Sequence, residues 1–355
     1  MADVRPFRAV RYAAPSTDLT APPYDVINEE QAAVLRARDP HNVVHLTLEP
    51  NEERAGERYR EWLASGVLVD DSEPAFWWLE QGYIDLDDAP RRRTGVVVSL
   101  RAEPYATGAV LPHERTHRGP IESRLRLLRA ARAQLEPIFL LHEGAPPVTR
   151  PSGEPDLEAG ESRLWRLPPD PAVGAFFADR ELLIADGHHR YETAVAYADE
   201  GGGDRLPVVL VSLADEGLEV YPTHRVFTGR ADVDAAGEPH DSLDEALAAL
   251  AASPDHRAAA VLVRPDEVRV VRGEERELDV ELVDRFGHEG LAYTPDRAEA
   301  VRRVVSGEAD CAFLVRSPRL AEVFARARDG RLLPQKTTYF FPKLVSGLLF
   351  QPVER

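Results

Sequence analysis

Apolar and polar positions change period along the chain, and the pattern predicts a mixture of strands and helices. Strands are predicted where apolar residues are continuous or alternate, at residues 76–84, 94–100, 137–142, 181–185, 206–213, 218–221, 258–263 and 311–316. Helices are predicted where apolar residues recur every three or four positions, at residues 29–38, 52–65, 121–134, 190–200, 243–251, 280–286, 298–305 and 318–327. Residues 41–45 are interpreted as a strand with polar ends. The pattern as a whole predicts a mixed α/β fold.

The order of these elements predicts two domains. Residues 1–228 form an N-terminal domain that carries an inserted hairpin and a loop rich in proline, glycine and acids at residues 145–160. Residues 229–355 alternate helices and strands and form a C-terminal α/β domain. The end of that domain is a candidate to return to the active site.

Charge and composition limit the classes of partner that we expect the protein to bind. The net charge of −18 repels a polyanion and argues against general nucleic-acid binding, although a local basic pocket remains compatible with it. No apolar run is long enough to span a membrane, and the first residues lack the pattern of a secretory signal. The single cysteine, Cys311, excludes an internal disulfide and lies in an apolar run that predicts a buried strand. We therefore expect a cytoplasmic protein without membrane partners; a homodimer is left open.

Lysine usage gives a finer signal. Nearly every basic residue is arginine, and the only lysines are Lys336 and Lys343, seven positions apart in an aromatic segment near the C-terminus. Lysine binds as a compact point charge, whereas arginine binds through a planar guanidinium. Two lysines in a chain that otherwise uses arginine are therefore candidate phosphate ligands. Chance or tight packing is the alternative explanation.

The strongest candidate site is a strand–turn–helix motif. An apolar strand is predicted to end at the sequence Asp186-Gly187-His188-His189-Arg190, and a helix to begin there. Unpaired amides and the positive dipole end of a helix N-terminus favour phosphate, and the basic side chains add donors. Asp186 is a candidate catalytic residue or Mg²⁺ ligand. The alternative is a structural turn with exposed histidines.

A second candidate, His113-Glu114-Arg115-Thr116-His117, matches the H-E-x-x-H pattern of zinc hydrolases. That pattern needs a helix interior, whereas a proline precedes this segment and Gly-Pro follows it. Glu114 is better interpreted as a carboxylate facing a pocket, or as one partner of a surface ion pair.

Two further segments carry candidate residues. Two prolines precede Tyr24-Asp25 and hold Asp25 rigidly before a helix that Asn28 caps, which suits a general base; a turn aspartate is the alternative. His224 and Arg225 follow a predicted strand and are phosphate-binding residue types, although a surface turn explains them equally well. The motifs of P-loop kinases, Rossmann dehydrogenases and serine hydrolases do not occur.

These motifs together resemble a widespread prokaryotic family, the domain of unknown function ten-fifteen. The resemblance covers nearly the whole chain and follows one order along it, through residues 22–27, 113–116, 124–128, 137–141, 185–194, 222–225 and 334–347. His117 lies outside the family pattern, which further weakens the zinc interpretation.

The loop Asp186–Arg190 is also similar to that of free-serine kinases in the ParB/sulfiredoxin-like superfamily. This resemblance implies a ParB/sulfiredoxin-like nucleotide-binding core, with ATP or ADP and Mg²⁺ as cofactors. It implies phosphate binding by Gly187, His188, His189 and Arg190, a catalytic or Mg²⁺-binding role for Asp186, and Asp25 as the base that deprotonates a hydroxyl. The cysteine that sulfiredoxins carry in the loop is a histidine here, which excludes their chemistry.

The sequence therefore favours a kinase that phosphorylates a small hydroxyl compound, with free L-serine as the expected acceptor. Asp25, or failing that Glu114, is the expected base, and His224, Arg225, Lys336 and Lys343 are additional candidate phosphate ligands. Tyr24, His113 and Thr116 are assigned to substrate binding. A nucleotide-binding switch without catalysis is the first alternative, and a zinc hydrolase using His113 and His117 is the second.

Overall fold

A computed structural model describes residues 1–353 of the chain, and these residues form two compact units. The first unit comprises Met1–Leu218, Phe324–Leu332 and the described part of Pro342–Arg355. The second comprises Glu219–Val323 and Leu333–Phe341. The domain division predicted at residue 228, with its functional assignments, stays a prediction.

The first unit contains both strands and helices. Its strands are β1 (Val4–Arg5), β2 (Val10–Tyr12), β3 (Leu68–Asp70), β4 (Phe76–Ile84), β5 (Pro90–Arg101), β6 (Val110–Leu111), β7 (Ala133–Gln134), β8 (Ile138–His142), β9 (Leu157–Ala159), β10 (Ser162–Leu167), β11 (Leu182–Asp186), β12 (Arg205–Ser212) and β21 (Gln351–Pro352). Its helices are α1 (Glu29–Arg38), α2 (Val44–Thr47), α3 (Glu52–Ala64), α4 (Arg118–Ala131), α5 (Pro171–Ala178) and α6 (His188–Asp199).

A mixed sheet organises this unit. Within residues 1–353 its strands run in the order β6-β11-β8-β12-β5-β4-β10-β9, with β1 added beside β5. β11 is parallel to β6, and β12 is parallel to β8, whereas the other pairs are antiparallel. All five residues of β11 are buried, which explains why that strand is apolar up to its final aspartate. One face of the sheet packs against α5 and α6 through residues such as Ile184, Val208 and Tyr191.

Helices α1 to α4 build a second apolar cluster in the same unit, around Tyr59, Trp62 and Phe350. Asn28 caps α1 and exchanges hydrogen bonds with Gln31, as the sequence predicts for this helix start. α3 and α4 approach closely at Gly56, where a Cβ atom would lie 2.3 Å from the carbonyl oxygen of Ala130. A glycine is therefore required at this contact.

The second unit contains its own layered fold. Its strands are β13 (Glu219–Pro222), β14 (His224–Phe227), β15 (Glu238–His240), β16 (Arg257–Val263), β17 (Val268–Glu275), β18 (Leu291–Thr294), β19 (Cys311–Leu314) and β20 (Thr338–Phe341). Its helices are α7 (Leu243–Ala251), α8 (Asp279–Asp284) and α9 (Arg297–Val305). A further helix, α10 (Leu320–Arg328), begins with residues of the second unit and ends with residues of the first. The sheet order is β15-β17-β16-β19-β14-β18, and β13 pairs with β20 in a separate ribbon. Residues of α7 and α9 cover one face of the sheet and residues of α8 the other.

The mixed α/β class predicted from the sequence is confirmed, and Cys311 lies fully buried in a strand as expected. The interpretation of residues 41–45 as a strand is wrong, because Val44–Thr47 is a helix. Asn42 explains the difference: its side chain accepts a hydrogen bond from the Val44 amide and donates to the carbonyls of Asp18 and Thr20. No helix in residues 1–353 combines the length and apolarity that crossing a bilayer requires.

Candidate functional site

The corner between β11 and α6 is the centre of the candidate site. Gly187 joins the two elements with φ at +100°, and a Cβ atom there would lie 2.6 Å from Cγ2 of Ile138. Both the backbone conformation and the space therefore demand glycine. The amides of His188, His189 and Arg190 form the first turn of α6 and have no intrahelical carbonyl to bond. This corner presents the positive end of the helix dipole.

Asp186 is held in a buried ion-pair cluster at this corner. One carboxylate oxygen accepts a hydrogen bond from the Lys343 ammonium, and the other accepts from Nη2 of Arg190 at 2.6 Å. Burial alone would raise the pKa of Asp186, but the two neighbouring cations outweigh it and hold the pKa below its usual value. Asp186 is therefore ionised, and the three charges of −1, +1 and +1 leave a net charge of +1.

The network that holds Lys343 extends away from the corner. The backbone carbonyl of Lys343 accepts a hydrogen bond from Gln81 at 2.9 Å, and Gln81 accepts one from the buried Arg93 at 2.6 Å. The Arg93 guanidinium lies 4.4 Å from the centre of the Phe139 ring. These contacts fix a C-terminal segment against the central strands, so that the ammonium of Lys343 stands beside Asp186.

Histidines pack around the corner in defined tautomers. The His113 ring donates from Nδ1 to the carbonyl of Ile184 at 2.6 Å, because a carbonyl can only accept. His188 accepts at Nε2 from the amide of His113 at 3.3 Å, and His189 accepts at Nε2 from the amide of His117 at 3.0 Å. Both rings therefore carry their proton on Nδ1 when neutral.

Burial keeps these histidines neutral. It lowers the pKa of His113 to about 4 and lowers the pKa of His188 and of His189 as well. At neutral pH the histidines contribute hydrogen-bonding groups, and the positive charge at the corner comes from Lys343 and Arg190. The negative charge of the exposed Asp25 opposes the effect of burial on the pKa of His189.

Asp25 lies in a short 3-10 turn, Tyr24–Val26. The backbone amide of Tyr24 donates to Glu136 at 3.1 Å, and its ring lies 4.2 Å below the Arg124 guanidinium. Asp25 and Glu136 both raise the pKa of Arg190, although burial opposes them. The turn is thus anchored to Glu136 and to α4, and the Asp25 carboxylate that it carries is exposed.

The segment that contains Glu114 and Thr116 also runs past α6. Thr116 donates to Glu192 at 2.8 Å, and Glu114 lies 3.8 Å from Nε2 of His113. Residues 112–117 are not helical, and α4 begins only at Arg118. The helical arrangement that would place His113 and His117 on one zinc ion is therefore not formed.

Three sequence-predicted phosphate ligands belong to the second unit. His224 accepts at Nδ1 from the amide of Val315 at 3.2 Å, and the fully buried Arg225 lies 5.4 Å from the centre of the Tyr293 ring. Lys336 is exposed and has a left-handed backbone, with φ at +54°. The phosphate-binding roles of these three residues stay predictions.

A metal role for Asp186 does not fit its surroundings. Both carboxylate oxygens already accept hydrogen bonds from cations, so neither is free to coordinate a metal ion. In the part of the chain that the structure describes, no group of three or more His, Cys, Asp or Glu side chains could hold a metal ion.

Sequence reasoning missed Glu136, Gln81 and Arg93. Glu136 accepts from both Tyr24 and Ser346, residues that are far apart in the sequence. The sequence alone does not indicate that a glutamate beside a predicted strand will join two distant segments of the chain. Two signals drew attention to Lys343: the presence of only two lysines, and the resemblance of residues 334–347 to the family pattern.

Several solved structures are similar to this chain at low identity. A conserved hypothetical protein from Pyrococcus furiosus is 19% identical, with a TM-score of 0.39, and the match covers 70% of this chain and 92% of that protein. A free serine kinase in complex with AMP is 18% identical, with a TM-score of 0.41 and coverages of 69% and 86%. SbnI with a C-terminal truncation, from Staphylococcus aureus, is 12% identical, with a TM-score of 0.41 and coverages of 70% and 85%.

No curated protein matches the chain significantly. The model of a protein family described as "Protein of unknown function (DUF1015)" matches residues 4–285. That match spans well over half of the sequence, and the motifs at residues 22–27, 113–116 and 185–194 all lie inside it. The protein therefore belongs to the DUF1015 family, as its motifs predicted.

Proposed function

We propose that this protein is a nucleotide-dependent kinase that phosphorylates the hydroxyl group of a small molecule, with free L-serine as the acceptor. The observation that carries the proposal is the cluster of Asp186, Lys343 and Arg190 at the N-terminus of α6. It supplies a net positive charge beside helix amides, which is the arrangement that proteins use to bind phosphate. The similarity of residues 186–190 to the loop of free-serine kinases supports the same conclusion.

The proposed reaction needs few side chains. The acceptor oxygen forms a bond to the terminal phosphorus of ATP or ADP, the bond from that phosphorus to its bridging oxygen breaks, and the hydroxyl proton passes to the Asp25 carboxylate. Asp25 suits the role of base because its carboxylate is exposed and because Tyr24, its neighbour, ties the turn to Glu136 and Arg124. Lys343 and the amides of α6 stabilise the charge on the phosphates.

Asp186 has a positioning role in this scheme. It orients the Lys343 ammonium towards the nucleotide, and its own oxygens stay in the ion pairs with Lys343 and Arg190. Mg²⁺ would arrive bound to the nucleotide phosphates and would neutralise part of their charge. The base role of Glu114 and the substrate contacts of Tyr24, His113 and Thr116 are secondary parts of the proposal.

The direct test is to incubate the purified protein with L-serine, Mg²⁺ and either ATP or ADP, and to measure O-phosphoserine by mass spectrometry. We expect product from the wild type. Asp25→Asn should lower turnover at least about 100-fold, the usual contribution of a general base, while nucleotide affinity stays unchanged. Glu57→Gln, an exposed change in α3, is the matched control and should keep full activity. Full activity of Asp25→Asn would remove Asp25 from the role of base.

A nucleotide-binding switch is the second candidate, and one observation favours it. Asp186 is fully engaged in ion pairs, so that the corner can bind an anion without offering a catalytic carboxylate of its own. Tight nucleotide binding with no product from a broad panel of alcohols would establish the switch and refute the kinase. The zinc hydrolase alternative gains no support from the non-helical backbone of residues 112–117.

A further inference from the structure

One buried carboxylate joins two segments of the candidate site that are far apart in the sequence. Glu136 lies just before β8 and is 6% exposed. Its Oε1 atom accepts a hydrogen bond from the Tyr24 amide at 3.1 Å and another from the Ser346 hydroxyl at 2.9 Å. Tyr24 directly precedes the proposed base, Asp25. Ser346 follows the proposed phosphate ligand, Lys343, by three positions.

The two segments, residues 21–26 and 343–346, also contact each other directly. The Ala21 amide donates to the Ser346 carbonyl at 3.2 Å, and the Ser346 amide donates to the Ala21 carbonyl at 2.8 Å. This bridge contributes two hydrogen bonds, and the Glu136 side chain contributes two more, one to each segment. The position of one segment therefore constrains the position of the other.

The residues that follow Glu136 hold the N-terminus of α6. The Pro137 carbonyl accepts a hydrogen bond from Nη1 of Arg190. Ile138 lies against Gly187, so closely that a Cβ atom on the glycine would be 2.6 Å from Cγ2 of the isoleucine. One short stretch of chain therefore contacts the turn that carries the base, the segment that carries the lysine and the start of the helix.

Phosphoryl transfer makes the relative position of these parts important. The attacking and leaving oxygens lie roughly in line in the transition state, and catalysis depends almost entirely on positioning and electrostatic stabilisation. Misplacement of a reacting group by about 1 Å costs roughly 100-fold in rate. A residue that fixes the base relative to the phosphate therefore acts on turnover more than on affinity.

Both hydrogen bonds that Oε1 of Glu136 accepts come from segments that carry proposed site residues. We propose that Glu136 is a positioning residue that holds the Asp25 turn at a fixed distance from the Lys343 segment. It acts through its bonds to Tyr24 and Ser346. This inference rests on the proposed function for the roles of Asp25 and Lys343, whereas the coupling between the two segments can be measured without turnover.

The first test compares Glu136→Gln with Glu136→Met in the phosphorylation of L-serine. The amide oxygen of glutamine can accept both hydrogen bonds, whereas a thioether is a weak acceptor. We expect Glu136→Met to lower kcat per folded molecule about 100-fold and to change the KM for the nucleotide less than about threefold. Glu136→Gln should keep kcat within about fivefold of the wild type. A role in stability alone would lower the folded fraction and leave kcat per folded molecule unchanged.

Ser346→Ala tests the same coupling with a smaller change in volume, and it serves if Glu136→Met does not fold. We expect kcat to fall about tenfold, because the bond between Glu136 and Tyr24 remains. Adding Ser346→Ala to Glu136→Met should cause no further loss, since the bond is already absent. Glu49→Met is the matched control: it removes a partly buried carboxylate that pairs with Arg58 at 2.9 Å, and it should keep the wild-type kcat.

Hydrogen exchange measures the coupling without turnover. ADP at about 100 times its Kd makes any opening that destroys its binding site roughly 100-fold rarer. Because Glu136 ties the Tyr24 amide to the Lys343 segment, ADP should slow exchange of that amide at least about tenfold in the wild type. The same slowing is expected in Glu136→Gln and not in Glu136→Met.

The outcomes separate this inference from the proposed function. Wild-type kcat per folded molecule in Ser346→Ala or Glu136→Met would refute the positioning role and keep the kinase. A kcat in Glu136→Gln as low as that of Glu136→Met, or exchange at Tyr24 that ADP does not slow in the wild type, would also overturn the inference. Slowing of Tyr24 exchange that depends on Glu136, in a protein without phosphoryl transfer, would keep the coupling and refute the kinase.

Discussion

Acid should destabilise the first unit because it contains buried neutral histidines. Burial lowers the pKa of His113 and of His142 from 6.5 to about 4. The unfolded chain therefore binds these protons at a higher pH than the folded chain does. The stability that results is fully present above pH 6.5 and is lost as the pH falls through the range from 6.5 to 4.

The size of the effect follows from these pKa values. At pH 5 a histidine with a folded pKa of about 4 and an unfolded pKa of 6.5 loses about 2 kcal/mol of stabilisation. His113 and His142 together predict a loss of about 4 kcal/mol between pH 8 and pH 5. His188, whose pKa is also lowered by burial, adds to the loss in the same direction. Such a change is a large fraction of the stability of a typical domain.

Tryptophan fluorescence during urea unfolding is a suitable assay. The four tryptophans, Trp62, Trp77, Trp78 and Trp165, all lie in the first unit, so their signal follows its unfolding. His142→Leu removes one titrating ring that packs edge-on against Phe177, with ring centres 4.9 Å apart. We expect its stability at pH 8 to stay within about 1 kcal/mol of the wild type, because an unmatched buried nitrogen is lost together with the ring contact.

At pH 5 the His142→Leu variant should retain about 2 kcal/mol more of its stability than the wild type does, because one of the two histidines no longer titrates. Equal stability of the wild type at pH 8 and pH 5 would refute the reasoning. So would a variant that keeps the whole pH dependence.

Three further changes test the corner and its lysines. Gly187→Ala should lower the free energy of unfolding by at least about 2 kcal/mol in urea titrations, because its Cβ atom would lie 2.6 Å from Ile138 at a φ of +100°; unchanged stability would contradict the described turn. Lys343→Met should cost about 3 kcal/mol by the same measurement, because it leaves Asp186 with a single cation, and a loss below about 1 kcal/mol would contradict a buried pair. Lys336→Gly relieves a left-handed backbone conformation and should not lower the melting temperature. The same variant should bind ADP more weakly in calorimetry if the Lys336 ammonium binds phosphate.

Local sequence signals predicted the local structure of the corner. Apolar residues 182–185 followed by an aspartate and a glycine are sufficient to place a buried strand, a tight turn and a helix start. The capping residue Asn28 and the end of α3 before Gly66 are confirmed for the same reason. Each of these features depends on residues within one or two turns of the chain.

Long-range contacts could not be predicted in this way. The hydrogen bond from Gln81 to the Lys343 carbonyl joins residues 262 positions apart, and no periodicity encodes it. The sequence also suggested that Asp186 could bind Mg²⁺, whereas its oxygens are occupied by cations from α6 and from the C-terminal segment. Asn42 illustrates a further limit, because its side-chain hydrogen bonds turn an apparent strand into a helix.

The most direct test of the account is a crystal structure of the protein with ADP. The account predicts a nucleotide phosphate within hydrogen-bond distance of the His188 and His189 amides, with the Lys343 ammonium beside it. ADP bound elsewhere, with no anion at the N-terminus of α6, would contradict it.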